Sequence, residues 1–394
     1  MTRIQINILG DGVTAKALKT FVNQYDDIVE VDIERADLVV ASPGIAPNQY
    51  PKCDCPIISE IEFAYRMFHH SLSHYKPKIV GITGTNGKSS VTHFCSNGSG
   101  YPAAGNIGVP LISFVNHPKA YPWIIVELSS YQLYGCDKFF ADIAVFTSFC
   151  KDHLAWHGSL EAYREAKLKL ISKDQSQLVL SSESCVNDLP ELKQVEHLKI
   201  VETQDEHQEA PRHLVDNLGL SNAILKYIAP QKPSLCLNQA KALNLAHRLS
   251  SVALKDPLGR LFVNDSKSTN PQSSLAAIDS FTKPVVLILC GEDKKLNLNT
   301  FFKRVLNKVK TVIVFGELAA VLKTYLEKNP SNCDVVFVNN LKEAVFNALE
   351  YTKSNEVLLF SPSSSSYDQF NGFEERGNAF ETQLKEALEV SCDH

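Results

Sequence analysis

Residues 81–90 read GITGTNGKSS, an order of small residues, a lysine and two hydroxyl side chains that suits phosphate binding. The stretch follows an apolar run and precedes VTHF, so we predict a strand, a loop and the start of a helix in succession. In such a loop, main-chain N–H groups and Lys88 hold the terminal phosphates of a nucleotide, and Ser89 is placed to bind Mg²⁺. A strict P-loop has glycine where Ile82 stands. The alternative is a glycine turn with an accidental Lys-Ser pair, and the strand–loop–helix order favours the phosphate site.

Glu127 is the next candidate, because it lies near the end of the very apolar segment WIIVELSS at 123–130. Burying a carboxylate there is costly unless the carboxylate meets a cation. In open α/β sheets, ligands collect at the carboxyl ends of the strands. We therefore expect Glu127 to bind Mg²⁺ beside the nucleotide, rather than to serve as a structural hydrogen-bond acceptor.

The elements that must position these residues alternate along the chain. Short β-branched runs and helical patterns follow one another through most of the 394 residues, which predicts an α/β protein with parallel sheets. The length predicts two or three domains at roughly 100–200 residues each, and we place boundaries near residues 75 and 255. Helices are predicted at 159–172, opened by Ser159 as N-cap, and around 216–229 and 237–249.

Composition and charge argue against several classes of partner. The formal net charge is −5 and no dense Lys/Arg tract occurs, so no nucleic-acid partner is expected. No window approaches the roughly 18 apolar residues of a membrane span, and the first residues do not resemble a signal peptide. The one close cysteine pair, Cys53 and Cys55, lacks the spacing of a zinc or redox site. We expect a cytoplasmic protein with reduced thiols and no membrane partner.

The loop resembles the GTxGK[ST] loop of the Mur ligases and folylpolyglutamate synthases, in which the spacing that fails the strict P-loop is the rule. The resemblance to the Mur ligase family continues, in the right order along nearly the whole chain, through SPGI (42–45), GNIG (105–108), ELSSYQL (127–133), KDH (151–153), YREAK (163–167), AHR (246–248) and NDSKSTN (264–270). Its last block, SPSSSSYDQFNGFEERGNAF at 361–380, is most similar to the family members that add D-glutamate.

The resemblance implies three domains and a two-step, amide-forming reaction. The domains are a Rossmann-like UDP-sugar-peptide-binding domain (1–75), a central P-loop-type ATP-binding domain with a parallel sheet (76–255) and a Rossmann-like, D-glutamate-binding domain (256–394). In the implied reaction the carboxylate of UDP-N-acetylmuramoyl-L-alanine attacks ATP to give an acyl phosphate. The amine of D-glutamate then displaces phosphate. The implied setting is peptidoglycan precursor synthesis in the cytoplasm, by a chain expected to be monomeric.

The resemblance also implies roles for residues around ATP. The residues implied to contact ATP are Gly84, Thr85, Asn86, Gly87, Lys88, Ser89, Ser90, Asn222, Arg248 and Asp265. Catalysis is implied for Lys88, Glu127, His153 and Lys167, and two Mg²⁺ ions for Ser89, Glu127, His153 and Lys167. The family pattern makes Lys167 a carbamate, because an unmodified lysine would be repelled by Mg²⁺. Nothing but the resemblance singles out Lys167.

Two further sets of residues match the family's contacts to the other substrates. For the UDP-sugar peptide they are Val13, Thr14, Ser42, Asn106, Ser129 and Gln132. A dicarboxylate needs cations and hydroxyls to replace lost water, and for D-glutamate the pattern picks out Lys267, Thr269, Lys294, Ser366 and Phe373. Lys295 is an alternative to Lys294, because the local alignment can slip by one residue.

The chain departs from the family pattern in several places, and alternative hypotheses about its function stay open. Leu218 and Gly219 replace the usual His-Asn pair, Ile33 and Glu34 replace a threonine and an arginine, and the helix after the phosphate loop is shorter than usual. A Mur ligase for another amino acid would share the central domain but not the last block. A folylpolyglutamate synthase would not need the SPGI-bearing first domain. A non-catalytic nucleotide-binding relic would not need to keep Lys88, Glu127, His153 and Lys167.

Overall fold

The computed structural model describes residues 3–70, 73–172, 176–202, 212–243 and 245–392. The described residues up to Leu243 form one compact unit, and those from Leu245 onwards form a second. Three sheets run through the chain, and their strands are parallel except for one short edge strand. The predicted α/β class with parallel sheets is therefore confirmed. The domain boundaries at 75 and 255 stay predictions.

The first unit begins with a four-stranded parallel sheet of order β2-β1-β3-β4. Its strands and helices are β1 (Ile4–Leu9), α1 (Val13–Val22), β2 (Ile28–Glu30), β3 (Leu38–Ala41), β4 (Ile57–Ser59) and α2 (Glu60–Phe68). Gly10 follows β1 with φ +117°, where a Cβ would press on the Ser42 side chain after β3. The glycine turn therefore brings the ends of β1 and β3 close together.

The same unit continues into a six-stranded parallel sheet of order β10-β9-β8-β5-β7-β6. Its strands are β5 (Lys78–Thr83), β6 (Ala103–Gly105), β7 (Trp123–Glu127), β8 (Ile143–Phe146), β9 (Leu178–Ser182) and β10 (Leu198–Val201). Its helices are α3 (Lys88–Ser99), α4 (Ser130–Tyr134), α5 (Leu154–His157), α6 (Leu160–Leu168), α7 (Glu183–Asp188), α8 (Arg212–Ile228) and α9 (Leu237–Ala242). The N-cap predicted for α6 is confirmed, since the Ser159 side chain accepts from the Ala162 N–H. The helix predicted at 237–249 is wrong beyond Ala242, because His247 and Leu249 have positive φ angles.

Helix α2 joins the two sheets of the first unit through buried carboxylates. Glu62 accepts main-chain N–H groups of residues 137–139 at 2.8–3.1 Å, and Arg66 Nε at 2.7 Å. Glu60 accepts the Ile112 N–H at 2.6 Å. One apolar core also runs through both sheets. The first sheet is thus packed firmly on the second.

The second unit holds a six-stranded sheet of order β11-β12-β16-β13-β14-β15, in which β11 is antiparallel to β12. Its strands are β11 (Ser250–Ser251), β12 (Leu261–Asn264), β13 (Val285–Cys290), β14 (Thr311–Val314), β15 (Asp334–Phe337) and β16 (Val357–Ser363). Its helices are α10 (Pro271–Asp279), α11 (Asn299–Lys308), α12 (Glu317–Lys328), α13 (Leu341–Tyr351) and α14 (Phe373–Cys392). The central strands β13 and β16 are buried at every position, as expected when helices cover both faces of a parallel sheet. Among the described helices, none combines the length and apolarity needed to cross a membrane.

Candidate active site

The loop at 84–87 joins β5 to α3, as predicted, and is shaped for a bound anion. Gly84 has φ +149° and Gly87 has φ +89°, and a Cβ on Gly84 would collide with Thr147 Oγ1. Its main chain is held by the segment after β8, since the Thr85 and Asn86 N–H groups donate to Ser148 O and Oγ at 2.9 and 2.8 Å. The hydroxyls of Ser89 and Ser90 lie in the first turn of α3. The Thr85 and Asn86 N–H groups are used within the protein, so the N–H groups at the start of α3 are the ones suited to bind a phosphate.

Two lysines converge on this loop. Lys88 Nζ donates to the carbonyl oxygens of Gly84 and Thr85, both at 2.9 Å. Lys167 Nζ, on α6, donates to Gly84 O at 2.7 Å and lies 4.8 Å from the centre of the Tyr163 ring. Burial and then the Lys88 charge hold the pKa of the Lys167 amine well below its usual range. The amine of Lys167 is therefore biased towards its neutral form.

Glu127 is the last residue of β7. In the pairing of β7 with β5 it lies opposite Ile82. Its Oε1 accepts from Asn106 Nδ2 at 2.8 Å. Its Oε2 is buried and has no hydrogen-bond partner among the described residues. A buried carboxylate oxygen without a partner is costly, and a cation at this position would compensate for it.

His153 lies at the start of α5 with φ +56°. Its Nδ1 is 2.7 Å from the Tyr131 hydroxyl, and its Nε2 is 3.8 Å from Asp152 Oδ2. Asp152 is 2% exposed and was missed by the sequence reasoning, although it precedes His153 directly in KDH. Within the described ranges, no three His, Cys, Asp or Glu side chains gather closely enough to hold a metal by themselves.

The residues predicted to contact the UDP-sugar peptide have different surroundings. Val13 is 72% exposed at the start of α1, where Thr14 follows it. Ser42 Oγ is buried and has no hydrogen-bond partner in the described part of the chain. Ser129 and Gln132 instead cap α4 reciprocally, with the Gln132 N–H donating to Ser129 Oγ and the Ser129 N–H to Gln132 Oε1.

Asn222, predicted to contact the nucleotide, holds a neighbouring loop. Its side-chain amide donates to Leu235 O at 2.9 Å and accepts the Leu235 N–H at 2.8 Å. Asn217, one turn earlier on α8, comes closer to the phosphate loop, since a Cβ on Gly87 would lie 2.6 Å from its Oδ1. The sequence carried no signal for Asn217, because its proximity follows from the packing of α8 on α3.

In the second unit, Asp265 follows β12 and Arg248 lies in the segment before β11. Asp265 accepts the Leu249 N–H at 3.1 Å and the Ser361 hydroxyl at 2.7 Å. Burial raises the pKa of the Asp265 carboxyl to about 6, against hydrogen bonds and the Arg248 charge that lower it. Arg248 stands between two residues of left-handed conformation, His247 at φ +59° and Leu249 at φ +47°.

The residues predicted for D-glutamate follow three adjacent strands, β12, β16 and β13. Lys294 Nζ donates to Thr269 O at 2.8 Å, and Lys267 Nζ lies 5.1 Å from the centre of the Phe373 ring. Ser366 is buried at the turn after β16. Lys295 is instead exposed, with its Nζ 2.7 Å from Asp293. The predicted residues thus lie in loops that follow neighbouring strands at the same end of the sheet, and Lys295 stays an alternative to Lys294.

Comparison with known proteins agrees with this geometry. Residues 82–218 match the family model of the Mur ligase middle domain, and residues 247–364 match that of the Mur ligase glutamate ligase domain. A Lactobacillus gasseri protein named UDP-N-acetylmuramoylalanine–D-glutamate ligase is 30% identical, over 93% of this chain and 86% of its own. A Francisella tularensis protein of the same name is 29% identical, over 98% of this chain and 96% of its own.

Solved structures show the same fold. The MurF ligase of Thermotoga maritima in complex with ADP has a TM-score of 0.63 at 12% identity, over 99% of this chain and 96% of its own. The UDP-N-acetylmuramate-alanine ligase MurC of the same organism has a TM-score of 0.59 at 16% identity, over 98% of this chain and 100% of its own. The motifs, the two matching family models and the relatives lead to one conclusion. The chain belongs to the Mur ligase family.

Proposed function

We propose that the chain is an ATP-dependent ligase that adds D-glutamate to UDP-N-acetylmuramoyl-L-alanine in cytoplasmic peptidoglycan precursor synthesis. The observation that carries the proposal is the phosphate loop with Lys88 and Lys167 directed at Gly84 and the free oxygen of Glu127 at the neighbouring strand end. The names of relatives that match over most of the chain support the choice of substrates. The alternatives, another amino-acid substrate or a non-catalytic relic, are not favoured.

The proposed chemistry has two steps. An oxygen of the alanine carboxylate forms a bond to the γ-phosphorus of ATP, and the bond from that phosphorus to ADP breaks. The neutral amine of D-glutamate then bonds to the carbonyl carbon, loses a proton, and phosphate leaves as the C–O bond breaks. The N–H groups at the start of α3 and Lys88 stabilise the negative charge on the phosphates, since fixed donors act strongly in a water-poor site. For the ATP contacts we propose Gly84, Thr85, Asn86, Gly87, Lys88, Ser89, Ser90, Asn222, Arg248 and Asp265.

We propose Mg²⁺ at this site because the chain's own residues fit it. Mg²⁺ prefers oxygen ligands and completes its shell with water and phosphate oxygens, so a cluster of three protein carboxylates is not required. Glu127 Oε2 and the Ser89 hydroxyl would hold one ion, and His153 a second, with Tyr131 orienting the imidazole. Bound cations reduce the repulsion between the substrate carboxylate and the triphosphate.

We also propose that Lys167 is carbamylated. A neutral amine can attack CO₂, forming an N–C bond and releasing one proton. Burial and the nearby Lys88 favour the neutral amine. The carbamate nitrogen keeps one N–H, which can still donate to Gly84 O. The added oxygens turn a cationic side chain into an anion able to bind Mg²⁺.

The other substrates are assigned to residues that stay proposals. For the UDP-sugar peptide we propose Val13, Thr14, Ser42, Asn106, Ser129 and Gln132. For D-glutamate we propose Lys267, Thr269, Lys294, Ser366 and Phe373. The three-domain division at residues 75 and 255 and a monomeric state belong to the same proposal.

Phosphate release from ATP tests the proposed reaction. UDP-N-acetylmuramoyl-L-alanine is supplied with D-glutamate, L-glutamate or a diamino acid in separate assays. We expect release that requires the nucleotide peptide and D-glutamate together. Phosphate release with another amino acid would support the ligase reaction but refute D-glutamate as the substrate. No release with any pair would favour a nucleotide-binding relic.

A further inference from the structure

Arg376 is a completely buried cation in the first turns of α14. Its Nε donates to Ser266 Oγ at 3.1 Å, its Nη2 to Ser266 O at 2.8 Å and its Nη1 to Ser364 O at 3.0 Å. No carboxylate in the described part of the chain forms an ion pair with it. Its direct hydrogen-bond acceptors are neutral, and the Asp368 and Asp265 carboxylates stabilise the cation only from a longer distance. Such an arrangement is unusual, because arginine is rarely fully buried unless it is paired.

The three hydrogen bonds link two loops that carry proposed D-glutamate ligands. Ser266 directly precedes Lys267 in the loop after β12, and Ser364 stands two residues before Ser366 after β16. Ser266 Oγ also donates to Phe373 O at 2.8 Å, so the same linkage reaches the start of α14. Arg376 is thus the centre of a hydrogen-bonded connection between both loops and the helix.

The loop after β13 is tied to the same assembly. Ser365 Oγ donates to Glu292 Oε2 at 2.7 Å, and the Glu292 N–H donates to Ser365 O at 3.0 Å. Glu292 lies two residues before Lys294, which reaches across to Thr269 O. A shift of the Ser364 segment would therefore move lysine and hydroxyl groups on three loops together.

Stability does not explain why a cation occupies this position. Burying a charge carries a desolvation cost of several kcal/mol, and apolar replacements of buried ionic groups are often neutral or stabilising. The planar guanidinium can donate in three directions in one plane, which an apolar side chain or an ammonium cannot reproduce. The residue is suited to fixing a distance between segments.

We propose that Arg376 is a positioning residue for the amino-acid substrate, setting the spacing between the loop of Lys267 and Thr269 and the loop of Ser366. The proposal rests on the D-glutamate ligase activity proposed above. Because Arg376 has no exposed surface, it acts through these loops and does not touch the substrate.

The test compares Arg376→Lys and Arg376→Met with the matched variants Arg260→Lys and Arg260→Met. Arg260 is another arginine of this sheet, with a side chain that is only 9% exposed, but it lies at the opposite end of β12, where it donates to Asp256 and to Leu349 O. KM for D-glutamate, KM for the nucleotide peptide and Tm are measured for each protein. We expect the Arg376 variants to raise KM for D-glutamate about ten- to a hundredfold, the cost of one hydrogen bond to a charged group. KM for the nucleotide peptide should stay unchanged, and the Arg260 variants should lower Tm without raising KM for D-glutamate.

The proposal is overturned if Arg376 and Arg260 variants with equal loss of Tm show the same KM for D-glutamate. Should the Arg376 variants not fold, Ser266→Ala serves instead, because it removes one acceptor of Arg376 while keeping the guanidinium. Ser266→Ala is expected to raise KM for D-glutamate severalfold, and an unchanged value would contradict the proposal. A wild-type protein active with another amino acid would instead refute the proposed substrate, which separates the two failures.

Discussion

Lys88 and Lys167 donate to the same atom, the carbonyl oxygen of Gly84, at 2.9 and 2.7 Å. Two ammonium groups so close together repel each other, and Lys167 is the one that is fully buried. The two lysines therefore differ in their favoured protonation state. Lys88 is suited to remain a cation, and Lys167 is suited to react as a neutral amine.

Lys88→Ala should abolish turnover while the protein stays folded. The ammonium is expected to stabilise phosphate charge, so its loss should lower kcat by at least about a hundredfold. Removing it also relieves the repulsion on Lys167, so Tm should change little. Phosphate release and thermal unfolding of the same preparation measure both effects. Normal turnover would remove the phosphate-loop assignment.

Lys167→Ala should be inactive and should regain part of its activity with a short-chain carboxylic acid such as formate or acetate. The added carboxylate would stand in for the carbamate oxygens in the space left by the side chain. Lys169→Ala is the matched control, since Lys169 follows on the same helix but donates to Tyr134 O. Full activity of Lys167→Ala without any added acid would contradict the carbamate.

Glu127→Gln should raise the Mg²⁺ concentration needed for half-maximal activity. The glutamine oxygen can still accept from Asn106, whereas its NH₂ group would replace the free Oε2 and repel a cation. We expect a rise of at least about tenfold, the lower range found even for outer-shell partners of metals. Mn²⁺ binding measured by electron paramagnetic resonance gives a readout independent of turnover. Equal affinity in wild type and variant would argue against Glu127 as a ligand; the exposed Glu161→Gln is the control.

Lys294→Ala and Lys295→Ala separate two neighbouring lysines. Lys294 reaches Thr269 O, whereas Lys295 is exposed and paired with Asp293. We expect Lys294→Ala to raise KM for D-glutamate about tenfold or more, because a charged hydrogen-bond donor is lost. Lys295→Ala should leave KM for D-glutamate near the wild-type value. The reverse pattern, read from initial rates at varied D-glutamate, would move the site by one residue.

Glu60→Gln should stabilise the protein at alkaline pH. Burial raises the pKa of the Glu60 carboxyl from 4.5 to about 7, against two main-chain hydrogen bonds that lower it. Since the folded chain binds this proton more tightly than the unfolded chain, the group's contribution to stability is complete below pH 4.5 and is lost as pH rises through 7. The variant stays neutral, so its advantage over wild type should grow by roughly 2 kcal/mol between pH 5 and pH 8. Urea unfolding at both pH values measures this difference, and the exposed Glu34→Gln is the control.

The sequence predicted the features that depend on local patterns. The strand, loop and helix of residues 78–99 follow from an apolar run and glycines that can adopt positive φ, and Ser159 caps α6 as expected. The cost of burying Glu127 identified a strand-end carboxylate correctly. The continued helix after Ala242 was wrong because tertiary contacts decide that segment, where His247 packs against Asn264 and Gly377.

The remaining features of the site depend on contacts between distant segments and could not be predicted from the sequence. Asn217 lies beside Gly87 because α8 packs on α3, and both polar atoms of the Asn222 amide are engaged by Leu235. Arg376 looks like an ordinary helix-surface charge in FEERG, and three-dimensional burial alone reveals its contacts with Ser266 and Ser364. Residues whose partners are main-chain atoms of distant segments leave no pairing signal in a single sequence.

The Glu62 carboxylate recognises residues 137–139 through their main-chain N–H groups alone. Phe139 is also held by its side chain, which is buried in the shared core beside the Tyr65 ring. Because Glu62 contacts only the main chain of this segment, the exposed side chains of Asp137 and Lys138 can change during evolution without loosening the joint between the first two sheets. Proline is the exception, because it has no N–H to donate. An inserted or deleted residue would likewise shift the row of donors out of register with Glu62. The joint thus tolerates substitutions of exposed residues but not insertions or deletions, so it can persist in relatives whose sequences have diverged widely.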